Sequence, residues 1–167
     1  MPSSTISDKD IVSEIYGESL SSSSHDHVNL STTAILAPKK EHRDEINRTV
    51  LNLLPGTSRS YTSVNTLITE EEGELLQFPP EFLDSLEMSG LPPHVLTLKE
   101  GAIVMLLRNF NAVEGLLNGT RLLVRKMYDN ILDLEVLTGV NIGDRVLLPR
   151  INLSPSDTTM PFSFKRR

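Results

Sequence analysis

Between Val95 and Ile151 the chain offers a series of short β-prone runs, Val95 to Leu98, Ala102 to Leu107, Thr120 to Tyr128, Ile131 to Leu137 and Arg145 to Ile151, separated by Gly, Asn and Asp. Short strands with turn residues between them predict a compact barrel rather than an open sheet. The densest part is Leu91 to Val124, LPPHVLTLKEGAIVMLLRNFNAVEGLLNGTRLLV. It reads as a proline-bounded strand, a glycine turn, an apolar strand ending in Arg108-Asn109, and an Asn118-Gly119 corner. That corner reads as a tight turn, because both residue types tolerate positive φ.

One hairpin can be registered from the sequence. With Asp129-Asn130 as a two-residue turn, Tyr128 faces Ile131, Met127 faces Leu132, Lys126 faces Asp133 and Arg125 faces Leu134. Lys126 is then spent on Asp133. Leu123, Met127, Leu132, Leu134 and Val136 form the core face, and Leu122, Val124, Asp133 and Glu135 share the other with Lys126. Arg121 and Arg125 fall at the rim of the apolar side, stems packed and heads in water. From there they serve either as structural rim residues or as phosphate contacts.

The first half is organised differently. Asp10 to Leu20 places Ile11, Val12, Ile15 and Leu20 near helical spacing, with Gly17 positioned to end or distort the helix. Serines 21 to 24 and the polar residues after them read as a flexible linker. Thr32 to Leu36, TTAIL, has the character of a buried parallel strand, closed by Ala37-Pro38. Glu41 to Leu54 follows as an amphipathic helix with Ile46, Val50, Leu53 and Leu54 on one face, stopped by Pro55-Gly56. Together they predict a strand, turn, helix unit. SYTSVNTLI, from Ser60 to Ile68, reads as one strand, the acidic run Glu70 to Glu74 as a solvated loop, and Pro79-Pro80 as the start of a short helix with Gly90 as its stop.

Composition narrows the function classes. No apolar run among the 167 residues reaches the length that spans a bilayer, and the N-terminus lacks the pattern of a secretion signal. With no cysteine there are no disulfides, thiolate metal sites or cysteine nucleophile. An intracellular setting is expected, nuclear in a eukaryote, with no membrane partner. The net charge of -6 is unevenly spread: residues 1 to 100 hold 7 basic and 16 acidic side chains, or -9, and residues 101 to 167 hold 9 and 6, or +3. This is either a pointer to an anionic partner for the barrel-like part or an ordinary fluctuation of surface charge.

Few motifs carry chemistry. Pro38-Lys39-Lys40 lies where a predicted strand passes into a helix, so free backbone N–H groups and two lysines favour an anion there. The alternative is a solvated charge pair. His25-Asp26-His27 lacks the further ligands that a metal site needs, and no metal is expected. Four Asn-x-Ser/Thr sequons, at Asn29, Asn47, Asn118 and Asn152, are coincidental without a secretion signal. No Ser-His-Asp or paired-carboxylate spacing indicates a catalytic residue. The phosphate-cradling sequence G-x-x-x-x-G-K-[ST] occurs nowhere.

Two stretches resemble one family. Leu91 to Val124 is similar to the accessory region of Pif-one-like DNA helicases, including those of rolling-circle transposons, in which G-x-x-V-M-L-x-x-N is followed by N-G. Ile35 to Asn47, ILAPKKEHRDEIN, resembles the motif that opens their second motor domain, and RINLSPSDTTMPFSFKRR resembles the run leading toward a later motif of that domain. The resemblance implies an α/β chain: a helix and linker over 1–31, a partial RecA-like 2A segment over 32–90 and an SH3-like small β-barrel, the 2B region, over 91–167. It implies a fragment of an ATP-dependent 5′-to-3′ helicase that grips single-stranded DNA, with the remainder of the motor as its other partner. DNA contacts are expected at Lys39, Lys40, Arg108, Asn109, Arg121 and Arg125. ATP and Mg2+ would belong to the complete enzyme, and no cofactor is expected in this chain. A non-catalytic SH3-like module that binds protein is the alternative.

Overall fold

The computed structural model describes residues 10–21, 32–68, 78–88, 90–155 and 162–167. The linker serines from Ser22 onward, His25-Asp26-His27, the Asn29 sequon and the acidic run lie outside them. Among the described residues no helix is long and apolar enough to cross a membrane.

Helix α1, Ile11–Ser21, starts where the Asp10 carboxylate accepts hydrogen bonds from the Val12 amide and the Ser13 hydroxyl, which relieves unpaired donors of the first turn. It runs through Gly17 rather than ending there, buries Val12 and packs on α2. Helix α2, Lys40–Leu53, forms as the spacing predicts. Its inward residues are Leu51 and, at the C-cap, Leu54, whereas Leu53 is 50% exposed. The reason is local: Leu54 leaves the helix with extended backbone and drops into the core beside Leu51. Lys99 closes that end by donating to the carbonyls of Leu54 at 2.8 Å and Asn52 at 3.5 Å, a cation at the negative pole of the helix.

Thr32–Leu36 carries no strand, contrary to expectation. Among the described residues none of the eight strands pairs with it, and the Thr33 carbonyl instead accepts from the Arg121 guanidinium at 3.3 Å. Ser60 to Ile68 is two strands, β1 (Arg59–Thr62) and β2 (Asn65–Ile68). The break comes because Ser63 donates to His94 while Val64 donates to Arg167, so the chain passes from one ladder to another. After the short helix α3, Pro80–Ser85, come β3 (Val95–Leu98), β4 (Ile103–Met105), β5 (Arg121–Met127), β6 (Ile131–Val136), β7 (Arg145–Pro149) and β8 (Ser163–Arg166).

The strands form an antiparallel four-stranded sheet, β4-β5-β6-β7, and two antiparallel ribbons, β1-β3 and β2-β8. The architecture is therefore mixed α/β with small antiparallel sheets. Both ribbons join residues from the two sides of position 91. One core lies on the sheet, with Leu122, Val124, Leu134 and Val136 packed with Leu54, Ala102 and Leu116. A second is built from Leu67, Leu83, Leu91 and Phe164, with Phe78 and Phe162 packed on it and their rings 4.2 Å apart.

The β5-β6 hairpin corrects the expected faces. Met127↔Leu132 and Lys126↔Asp133 pair as predicted, but the next pair is Val124↔Leu134, so Arg125 is an extra residue in a β-bulge. Beyond it the side-chain parity flips. Leu122 and Val124 enter the sheet core, while Leu123, also buried, belongs to neither core. Lys126 is not spent on Asp133, which instead receives the fork of Arg145, with Nε donating at 2.9 Å.

Candidate nucleic-acid interface

Arg108 follows the end of β4, where the chain turns away from the sheet. Its Nε donates to the Gly90 carbonyl at 3.0 Å, and its Nη2 is shielded and has no partner among the described residues. A shielded donor left unpaired costs about 1–3 kcal/mol, so an acceptor supplied from outside would be favoured. Around it Gly90, Leu107, Arg108, Asn109 and Asn118 line a cleft of about 360 Å³. The loop behind the cleft is held by its own bonds: Asn109 Oδ1 accepts from the Asn118 amide at 2.9 Å, and Gly119, at φ 90°, donates to the Leu106 carbonyl. Glycine is needed there because a side chain at that φ is strained. Asn109 thus uses its carbonyl oxygen to shape the cleft and keeps its side-chain NH2 as a donor.

The other expected contacts are not gathered around this cleft. Arg121 stands opposite Met105 at the same end of the sheet, with its Nη1 on Thr33. Arg125 lies further along β5 and is engaged by Glu135 at 2.8 Å. Lys39 and Lys40 are exposed at the start of α2, whose first turn has no side-chain cap. The structure thus brings Arg108 and Asn109 together, places Arg121 toward that end of the sheet, and leaves Arg125 paired to a carboxylate.

Sequence reasoning missed a second basic cluster. Arg59 donates to the Met127 carbonyl at 2.9 Å and pairs with Asp129, and its guanidinium sits 5.7 Å from the Tyr61 ring centroid. Arg150 lies 5.8 Å from the same ring and donates to the Thr62 carbonyl. Tyr61 donates its hydroxyl to the Tyr128 carbonyl, and burial pushes its pKa above the ordinary value, against the pull of Arg59. The cluster ties ribbon β1-β3 to the hairpin tip. The only sequence signal was an arginine two residues from a tyrosine in a strand, which is common.

Ser63, His94 and Asp84 also meet, but both the Ser63 hydroxyl at 2.9 Å and the Asp84 carboxylate at 3.3 Å contact Nδ1 of His94. A nucleophile relay needs the two partners on different ring nitrogens, so this contact joins β1, β3 and α3 rather than activating a serine. Among the described residues no group of three or more histidine or acidic side chains could hold a metal ion.

Comparison with known proteins agrees with this architecture. Residues 81–127 match the family described as DNA helicase Pif1, 2B domain. The Candida albicans Pif1 helicase superposes with a TM-score of 0.51 at 21% identity, over 82% of this chain and 36% of that one. A double mutant of the Bacteroides Pif1 helicase gives 0.50 at 18% identity, over 78% and 27%. A structure described as DNA unwinding at forked double-stranded DNA by two coordinating Pif1 helicases gives 0.50 at 18%, over 91% and 33%. The chain thus spans about a third or less of the solved helicases it matches, and at these identities the likeness concerns the fold. No curated protein matches the sequence.

Proposed function

We propose that this chain, which carries the 2B domain of Pif1 DNA helicases over residues 81–127 and has the fold of a Pif1 helicase segment, is a DNA-contacting part of an ATP-dependent helicase. In this reading it grips the backbone of single-stranded DNA while the complete enzyme moves 5′ to 3′. The observation that carries it is the Arg108 cleft, which lies inside the family-matched segment and presents an unpaired guanidinium nitrogen with the Asn109 and Asn118 amides. A planar guanidinium suits phosphate oxygens, and neutral amides add donors without competing charge. A solved neighbour described as unwinding forked DNA supports DNA as the partner.

Lys39 and Lys40 extend the same reading, adding two mobile charges at a helix start. The remainder of the motor is the second partner, supported by the highly exposed Val113, Val140 and Ile142 on two touching loops. Nucleotide and Mg2+ belong to that remainder.

Fluorescence anisotropy with a labelled oligothymidine tests the reading. With roughly four phosphate contacts, log affinity falls with log salt at a slope of about -3. Arg108→Gln weakens binding, and so does Lys39→Glu with Lys40→Glu. Absence of binding at low salt, together with stable capture of a protein partner, would favour a protein-interaction module instead.

A further inference from the structure

Arg43, Arg59, Arg125 and Arg145 each pair with a carboxylate, and Arg166 is caged by carbonyls. Lys165 and Arg167 differ. Strand β8 alternates Phe164 and Arg166 inward with Lys165 and Arg167 outward, and β2 places Asn65 and Leu67 inward with Thr66 outward. Thr66 lies directly opposite Lys165, while Val64 and Arg167 exchange backbone hydrogen bonds of 2.7 and 2.9 Å. The outward face therefore carries two cations on alternate residues, about 7 Å apart along the strand. Neither cation has a side-chain hydrogen bond or ion pair among the described residues.

These residues border a groove of about 310 Å³ lined by Val64, Thr66, Asn152, Lys165 and Arg167. Every polar side chain of that lining can donate a hydrogen bond, and among the described residues no acidic side chain lines it. Asn152 is held at its edge by the neighbouring Leu153↔Arg166 bridge. We infer that this outward face of the β2-β8 ribbon is a second phosphate-binding groove, taking the backbone of single-stranded DNA at a place separate from the Arg108 cleft. The identification of the ligand as DNA rests on the function proposed above. Among the described residues no aromatic side chain lines the groove, so it holds phosphates rather than stacked bases. Val64, 63% exposed, offers an apolar contact to sugar at one end.

The test compares the full chain with Lys165→Gln/Arg167→Gln and with Lys126→Gln, an exposed cation outside the groove, by anisotropy with oligothymidine across a salt series. Glutamine keeps the β8 backbone ladder, and circular dichroism checks that the fold is retained. Loss of two phosphate contacts makes the salt slope shallower by about 1.4, so the ratio of affinities between about 50 and 200 mM salt shrinks roughly 7-fold. Lys126→Gln leaves the slope unchanged. An unaltered slope in the double variant overturns the groove while leaving the Arg108 reading standing. An equal effect per charge from Lys126→Gln also overturns it, because bulk charge then accounts for the change. A parent chain that binds no oligothymidine at low salt overturns both readings together.

Discussion

Replacing Arg166 by methionine would remove a buried cation held by four hydrogen bonds. Arg166 is 2% exposed, and its guanidinium donates to Asn65 Oδ1 at 2.8 Å, the Pro92 carbonyl at 3.0 Å, the Leu83 carbonyl at 3.0 Å and the Leu86 carbonyl at 3.2 Å. Burial pushes its pKa below the ordinary value, with Asp84 pulling it partly back. Methionine restores the stem volume and relieves the charge of its desolvation. It also leaves three acceptors unpaired, since the Leu83 carbonyl keeps the Leu86 amide at 3.4 Å, each worth about 1–3 kcal/mol if it stays dry. If water reaches about half of them, the net loss is about 3–5 kcal/mol, the range found when one side of a buried polar network is deleted. That is a large share of the roughly 5–15 kcal/mol that holds a domain of this size. In urea, with a slope near 2 kcal/mol per M, the midpoint would fall by about 2 M, followed by circular dichroism. Arg166→Lys would fare no better, because one ammonium cannot reach four acceptors that diverge around a planar fork. A methionine variant within about 1 kcal/mol of the parent would refute the reasoning, since desolvation would then cancel the carbonyl bonds.

Deleting Arg125 removes the bulge yet keeps Val124↔Leu134 and Lys126↔Asp133, so the hairpin becomes regular with every core side chain still inward. Stability should change by no more than about 1 kcal/mol, mostly the lost surface pair with Glu135, and a drop above about 3 kcal/mol on thermal melting would show that the bulge is required. Lys99→Met removes the cation from the last carbonyls of α2 and should cost about 0.5–1 kcal/mol, read by urea unfolding at low and high salt, with no change if the contact is incidental. Tyr61 should ionise only above its ordinary value of 10.0 in an ultraviolet titration. Because its folded pKa is raised, the stability it contributes is fully present below about pH 10 and is lost as pH rises through the folded value. A tyrosine transition at or below about pH 10 that disappears in Tyr61→Phe would contradict this.

Local chemistry was legible wherever a residue's neighbours in the chain decide its state. Helix α2 lies almost where Glu41 to Leu54 was expected, because 3.6-residue spacing and Pro55-Gly56 act within a few residues. Strands β3 to β7 sit where alternating apolar runs and turn residues placed them. Arg108-Asn109 was expected to end an apolar strand, and the structure puts Arg108 just past β4, beside Asn109 at a cleft.

What the tertiary structure decided depends on partners far away in the chain. TTAIL forms no strand because no described strand lies alongside to take its hydrogen bonds. Ser60 to Ile68 splits because two ladders, one from Val95–Leu98 and one from Ser163–Arg166, claim its two halves. The Arg125 bulge was equally hidden, since one extra residue on a strand is defined only against its partner. The roles of arginines were the least legible, because a long cation settles on whichever acceptor the fold brings near. Arg125 went to Glu135, Arg145 took Asp133 from Lys126, and Arg166 collected the carbonyls of a helix end and a loop. Periodicity and turn chemistry, being local, determined where most of the helices and strands lie; the three-dimensional packing alone determined which charges are spent on partners within the fold.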